Sequence, residues 1–254
     1  MHIFLVNDDG IQSEGIKALC LAALERGHRV SMCAPRTQQS AASQRLTMIE
    51  PVYVKRCETG RDDVQAWAIT GSPADCVRLG LQELVKEPVD VVISGINQGY
   101  NAGMAVHYSG TISAAREGAL HHLPAIAVSL EYTATMDMYM ALARIAIRMA
   151  EKYVKLEMPP VSFLSVNAPL GTEKSWQGPV LAPLSTAAFL DEYERRESPR
   201  AGTYYWLMDG CRMEKPEAGS DLDLLAKGWI TCTFLGNPTE CGAAFAEFVK
   251  NAGK

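Results

Sequence analysis

Asp8 and Asp9 stand side by side directly after the apolar run Ile3 to Val6, inside the segment Asn7-Asp8-Asp9-Gly10. Two adjacent acids at a strand end repel each other unless a cation sits between or beside them. Carboxylate, hydroxyl and amide oxygens suit a hard divalent ion such as Mg²⁺ or Mn²⁺, and the lack of Cys or His nearby argues against zinc. Taken alone, Asp-Asp-Gly is also an ordinary turn, with one acid capping the next helix and the other solvated. A second segment, Ser94-Gly95-Ile96-Asn97-Gln98-Gly99-Tyr100-Asn101, shifts the balance: two glycines and two asparagines straight after an apolar run are more than a corner needs. A third, Tyr108-Ser109-Gly110-Thr111, opens a helical pattern with two hydroxyls and the positive end of a helix dipole. That suits a phosphate as well as it suits a plain N-cap.

These segments are far apart in sequence, so something must bring them together. Short apolar runs alternate with helical patterns over the first two-thirds of the chain. Strands are expected at His2 to Val6, Val30 to Ala34, Val89 to Ile93, Ala125 to Ser129 and Ser162 to Val166. Helices are expected from about Ser13 to Arg26, after the Ser72-Pro73 cap, from about Thr111 to His122, and from Met136 to Lys152. Three weaker β-like runs are Leu46 to Ile49, Val52 to Arg56 and Gln65 to Ile69. Runs such as FLV, VDVVI and AIAVSL are apolar at nearly every position, as in strands buried on both faces. The expectation is an α/β fold, a doubly wound and mostly parallel sheet, which gathers ligand-binding residues outside the carboxyl ends of its strands. Asn7 to Gly10, Gln38 to Ala41 and Ser94 to Asn101 then share one edge.

The rest of the sequence sets limits. With 254 residues and a net charge of −5, from 24 basic and 29 acidic side chains, the chain has no basic field for a nucleic-acid backbone. At 48% hydrophobic and 21% charged it has a globular composition, read as a single domain over 1–254. Seven scattered cysteines without a C-x-x-C pair suit a reducing compartment. The apolar amino terminus is too short for a signal-peptide core, and no run approaches a membrane span, so a cytoplasmic protein is expected. His107 is the one histidine placed to line a cleft. The methionines between Met136 and Met149 suit core packing.

Past Pro169 the rhythm changes. Pro183 to Gly219 is charge-rich, without helical period, and contains Tyr204-Tyr205-Trp206. It reads as a projecting hairpin or arm used in oligomerisation, or as a loop folded back on the core. A helix at Asp221 to Lys227, a strand at Trp229 to Leu235 and a last helix at Thr239 to Lys250 follow.

IFLVNDDGIQSEGI, QQSAAS, GSPADCV, VISGINQGYN, YSGTISAAREG and SDLDLLAKGWITCTFL together resemble the SurE (survival protein E) family, from residue 1 to about 235. The resemblance implies a Rossmann-like, metal-dependent phosphatase acting on nucleoside monophosphates, a 5'-nucleotidase that can extend to 3'-nucleotides. It implies one divalent ion (Mg or Mn) held by Asp8, Asp9, Ser40 and Asn97, with Asp8 and Asp9 catalytic. Phosphate or substrate contacts are expected at Asn7, Asn101, Ser109, Gly110 and Thr111, and a homodimer or homotetramer through the arm. Two positions depart from the family pattern. Arg36 stands where it usually has Asp after Ala34-Pro35, and Ser165-Val166-Asn167 replaces Asn-Val-Asn. Two other readings remain open on the residues alone: a phosphatase with an aspartyl-phosphate intermediate, which more often shows Asp-x-Asp, and a non-catalytic nucleotide- or metal-binding α/β protein.

Overall fold

The structure, a computed structural model, describes residues 1–208, 212–236 and 251. The helix expected at Thr239 to Lys250 lies outside them. The chain builds β1 (His2–Val6), α1 (Glu14–Glu25), β2 (Arg29–Pro35), β3 (Val54–Cys57), β4 (Val64–Ile69), α2 (Pro73–Leu79), β5 (Val91–Gln98), α3 (Gly110–Leu120), β6 (Ala125–Leu130), α4 (Met136–Tyr153) and β7 (Phe163–Ala168). β8 (Gln177–Leu181), β9 (Phe189–Leu190), β10 (Tyr193–Ser198), β11 (Gly202–Leu207), β12 (Arg212–Met213), α5 (Asp221–Ala226) and β13 (Trp229–Leu235) complete it.

Nine strands form one sheet in the order β3-β4-β2-β1-β5-β6-β7-β13-β8. The segment from β4 through β7 is parallel throughout, while β3 and β13 run antiparallel to β4 and β7. Alternation along β1 explains the layering. Ile3 and Leu5 pack with α1 and α4 on one face, and Phe4 and Val6 pack with α2 and α3 on the other. α2 starts as its sequence dictates. Ser72 Oγ accepts from the Asp75 N–H at 3.1 Å, the Asp75 carboxylate accepts from the Ser72 N–H at 2.8 Å, and Pro73 takes the first helical position.

The order of strands matters most for the site. From β1 the chain moves outward through β2 to β4, then returns to the other side of β1 to place β5 there. Between β1 and β5 the order reverses, and a doubly wound sheet opens a crevice at the carboxyl ends of such a strand pair.

Two expectations are corrected here. Leu46 to Ile49 is not a strand; it is a loop, with Met48 and Ile49 exposed, so its apolar residues reflect neither face of a sheet. The strand expected at Val89 to Ile93 runs instead from Val91 to Gln98, so most of the Ser94 to Asn101 segment lies within β5. Pairing with β6 shifts register between Ser94 and Asn97 and then resumes at Asn97 opposite Ser129. The irregularity acts as a β-bulge, which re-aims side chains without ending the strand.

Of the arm, β10 and β11 form a separate two-stranded sheet among the described residues, with Tyr193 opposite Leu207, and all six residues of β11 are exposed. Short β9 and β12 pair at its base. Among the described residues no helix is long and apolar enough to cross a membrane, and the five described cysteines are free.

Candidate active site

The turn after β1 is built by Asn7. Its side chain is buried and fully engaged: the amide nitrogen donates to Gly10 O at 3.0 Å and to Ser13 Oγ at 2.6 Å, and the amide oxygen accepts from the Gly10 N–H at 3.1 Å. Asn7 therefore shapes the loop from behind, and the next two residues present the carboxylates.

Asp8 is 3% exposed and faces the start of α3. Thr111 Oγ1 donates to Asp8 Oδ1 at 2.5 Å, and the Thr111 backbone N–H also reaches the carboxylate. Burial pushes the Asp8 carboxyl up to about 6, with the neighbouring Asp9 charge adding to the rise and Thr111 opposing it. Asp9 points elsewhere. Burial raises it too, while the Gln98 backbone N–H and the Gln38 side-chain amide, 3.4 Å away, hold it down. The same Gln38 nitrogen donates to Ser40 Oγ at 3.0 Å, so a single amide donor ties an acid of one loop to a hydroxyl of the next. Gln39 N–H donates to Asp8 O at 2.8 Å and fixes the two loops together.

From β5, Asn97 donates its amide to Gly99 O at 2.8 Å, which leaves its side-chain oxygen as the group to offer a ligand. Asn101 is buried and braced from β6 and β7. Its amide donates to Ser129 Oγ at 2.9 Å, and its backbone N–H donates to Asn167 Oδ1 at 2.8 Å. Ser165, one of the two departures from the family pattern, accepts from Asn167 Nδ2 at 3.3 Å and so supports this brace. Arg36, the other, is exposed and uses its backbone N–H on Ile69 O.

Asp8, Ser40, Asn97, Asn101 and Ser109 line one open cleft of about 190 Å³. Asp9 flanks it without lining it. Gly110 abuts the Asp8 side chain, Ser109 caps α3 through Ile112 N–H, and Thr111 is buried with its hydroxyl given to Asp8. His107 does not line the cleft; it is exposed. A separate cavity of about 270 Å³ between α1 and the β3–β4 loop is walled by Leu21, Met32, Val64 and Ala66, and none of the expected site residues lines it.

The donor set fits a hard cation. Asp8 and Asp9 bring two carboxylates whose charge the fold resists, and Ser40 and Asn97 bring neutral oxygens. Among the described residues no group of three or more His, Cys, Asp and Glu comes together, so a cation at this place has to draw on the hydroxyl and amide as well. Sequence reasoning passed over Gln38, Ser129 and Asn167 as supports. The signal for Asn167 was available, since it lies near the carboxyl end of β7 as Asn97 lies near that of β5.

Packing positions the β5 limb tightly. A Cβ at Gly15, in the first turn of α1, would lie 1.9 Å from Ile96 O. Gly15→Ala is expected to lower stability by about 3 kcal/mol, since backbone must move to admit the methyl, and to displace Asn97 with it. Urea unfolding measures this; an unchanged midpoint would refute the close approach.

Comparison with known proteins adds to this geometry. The sequence model described as "Survival protein SurE" matches residues 3–190. A protein of Synechococcus sp. (strain JA-3-3Ab) described as "5'-nucleotidase SurE" is 39% identical over 247 residues, covering 96% of this chain and 95% of that protein. One of Solidesulfovibrio magneticus, with the same description, is 37% identical over 253 residues, covering 100% and 98%. The crystal structure of the Sure protein from Aquifex aeolicus superposes with a TM-score of 0.76 at 30% identity, covering 92% of this chain and 93% of that one.

Proposed function

The chain belongs to the SurE family and is a 5'-nucleotidase, and on that premise we propose that it hydrolyses nucleoside monophosphates at the crevice between β1 and β5, with one divalent ion held by Asp8, Asp9, Ser40 and Asn97. The observation that carries this reading is the meeting of Asp8, Ser40 and Asn97 on one cleft, with Asp9 beside it, at the point where the strand order reverses. When bound, the ion lowers the pKa of water and neutralises phosphate charge.

The chain's own groups do the rest. Asp8 lines the cleft, where its carboxylate can orient the attacking water and accept its proton. Thr111 keeps that carboxylate aimed. Asn97 offers an oxygen to the cation, and Ser109 and Asn101 stand on the cleft wall where phosphate oxygens need donors. An aspartyl-phosphate route is less favoured by placement: Asp8 Oδ1 is held by the Thr111 hydroxyl, and Asp9 flanks the cleft, turned toward Gln38 and Gln98. The exposed β10–β11 hairpin supports a homodimer as the working unit.

Phosphate release from a panel of nucleoside monophosphates, with Mn²⁺, Mg²⁺ or chelator, tests the reading. Release is expected with a divalent ion and a drop of at least about a hundredfold in chelator. Equal release in chelator would overturn the metal assignment, and no release under any condition would leave a binding protein.

A further inference from the structure

Four aromatic residues line the same cleft as Asp8: Tyr100, Tyr108, Tyr132 and Phe189. Tyr100 has a structural partner, since its hydroxyl donates to Glu131 at 2.6 Å. Tyr108 and Tyr132 are different. They are 58% and 66% exposed, and a large ring left in water beside a polar site contributes little to the fold.

Their placement is nevertheless specific. Tyr132 lies against the backbone of the Asn97–Asn101 segment at Gly99, where a Cβ would come within 2.6 Å of the ring and where φ is +112°. Only glycine lets the ring approach the cleft wall there. Tyr108 immediately precedes the Ser109 cap and meets Phe189 edge-on, with ring centroids 6.2 Å apart at 61°. Phe189 comes from β9, far along the chain at the base of the arm, so three separate segments bring rings to one opening.

We propose that Tyr108, Tyr132 and Phe189 form the platform that receives the nucleobase, holding it by ring stacking while the phosphate lies at the Asp8 end of the cleft. The proposal rests on the hydrolase reading and deepens it by naming what distinguishes a nucleotide from any other phosphomonoester. Every base has a π-face, so stacking accepts all of them. The enzyme then selects for the presence of a base more than for its identity, with the larger purines held better than pyrimidines.

Ribose 5-phosphate, a nucleotide without its base, is the matched control. The ratio of kcat/KM for AMP over ribose 5-phosphate is expected to be about tenfold or more in the native chain, expressed in KM. Tyr108→Ala and Tyr132→Ala, made separately, are each expected to lower that ratio several-fold. Tyr108→Phe and Tyr132→Phe are expected to keep it, since they retain the ring. Titration with adenosine, measured without turnover, should show the same ranking of variants. A native ratio near one, or a ratio that neither alanine variant moves, overturns the platform and leaves the phosphatase standing. Failure to hydrolyse either substrate with any divalent ion overturns the phosphatase, and adenosine binding that ignores both alanine variants then overturns the platform independently.

Discussion

Replacing Asp8 with asparagine is expected to lower kcat/KM for a nucleoside monophosphate by on the order of 10³ and, at the same time, to stabilise the metal-free protein. The first effect follows from charge and proton affinity. The asparagine side chain would keep the volume and an oxygen for the Thr111 hydroxyl and N–H, but could neither neutralise a cation nor accept a proton. The second follows from burial. The Asp8 carboxyl sits near 6 in the folded chain against an ordinary 3.8, because ionising it inside the fold is unfavourable. Between those values the folded state holds more protons than the unfolded one, so metal-free stability falls as pH rises from about 4 to 6 and stays lower above that. About 3 kcal/mol is the ceiling for that loss. Asp8→Asn removes this slope, and added Mn²⁺ or Mg²⁺ should restore stability to the native chain above pH 6 but much less to the variant. Thermal melts across pH with chelator or metal, run beside the rate assay, check both halves. A variant that keeps native rates would displace Asp8 from the site, and a variant that melts earlier in chelator would contradict the burial argument.

Excising the β10–β11 hairpin is expected to convert the assembly to monomers. Tyr193 and Leu207 are opposite each other in the ladder, so the chain can be closed between them with two glycines without disturbing the β9–β12 pair below. The hairpin has no core of its own. Tyr204, Tyr205, Trp206 and Leu207 are between 40% and 59% exposed, while Arg195 and Arg196 form ion pairs with Glu197 and Glu194 at its surface. A contiguous aromatic surface of this kind is what interface cores are made from, and an isolated two-stranded ribbon is marginal in water without something to pack on. Light scattering of native and excised chains decides. A dimeric or larger native protein that becomes monomeric on excision is the expected result; an unchanged mass, or a native monomer, would refute it.

The central sheet was legible because its strands are apolar on both faces. Val91 to Ile93 and Ala125 to Leu130 are buried at every position, as is β7, and such runs have no solvent face to blur the pattern. β8 escaped for the opposite reason. Gln177–Leu181 contains Gly178 and Pro179 and is only partly buried, which a sheet edge tolerates and a central strand does not. Leu46 to Ile49 misled because an apolar run carries no mark of whether anything covers it. At the site, Asp8, Ser40 and Asn97 could be grouped because all three lie at or just beyond the carboxyl ends of strands on one sheet edge. That Thr111 serves Asp8, and that Gln38 spans Asp9 and Ser40, depends on side-chain directions across loops far apart in sequence, which spacing does not encode.

The position of β1 has a cost during synthesis. It leaves the ribosome before the other strands of this sheet, yet it occupies the middle of the sheet and has neighbours on both sides. β2 can cover one of its edges early, but the other stays open until β5 has emerged, on the order of ten seconds later at ordinary elongation rates. Throughout that interval an apolar strand keeps one edge unpaired, open to edge-to-edge pairing with other chains.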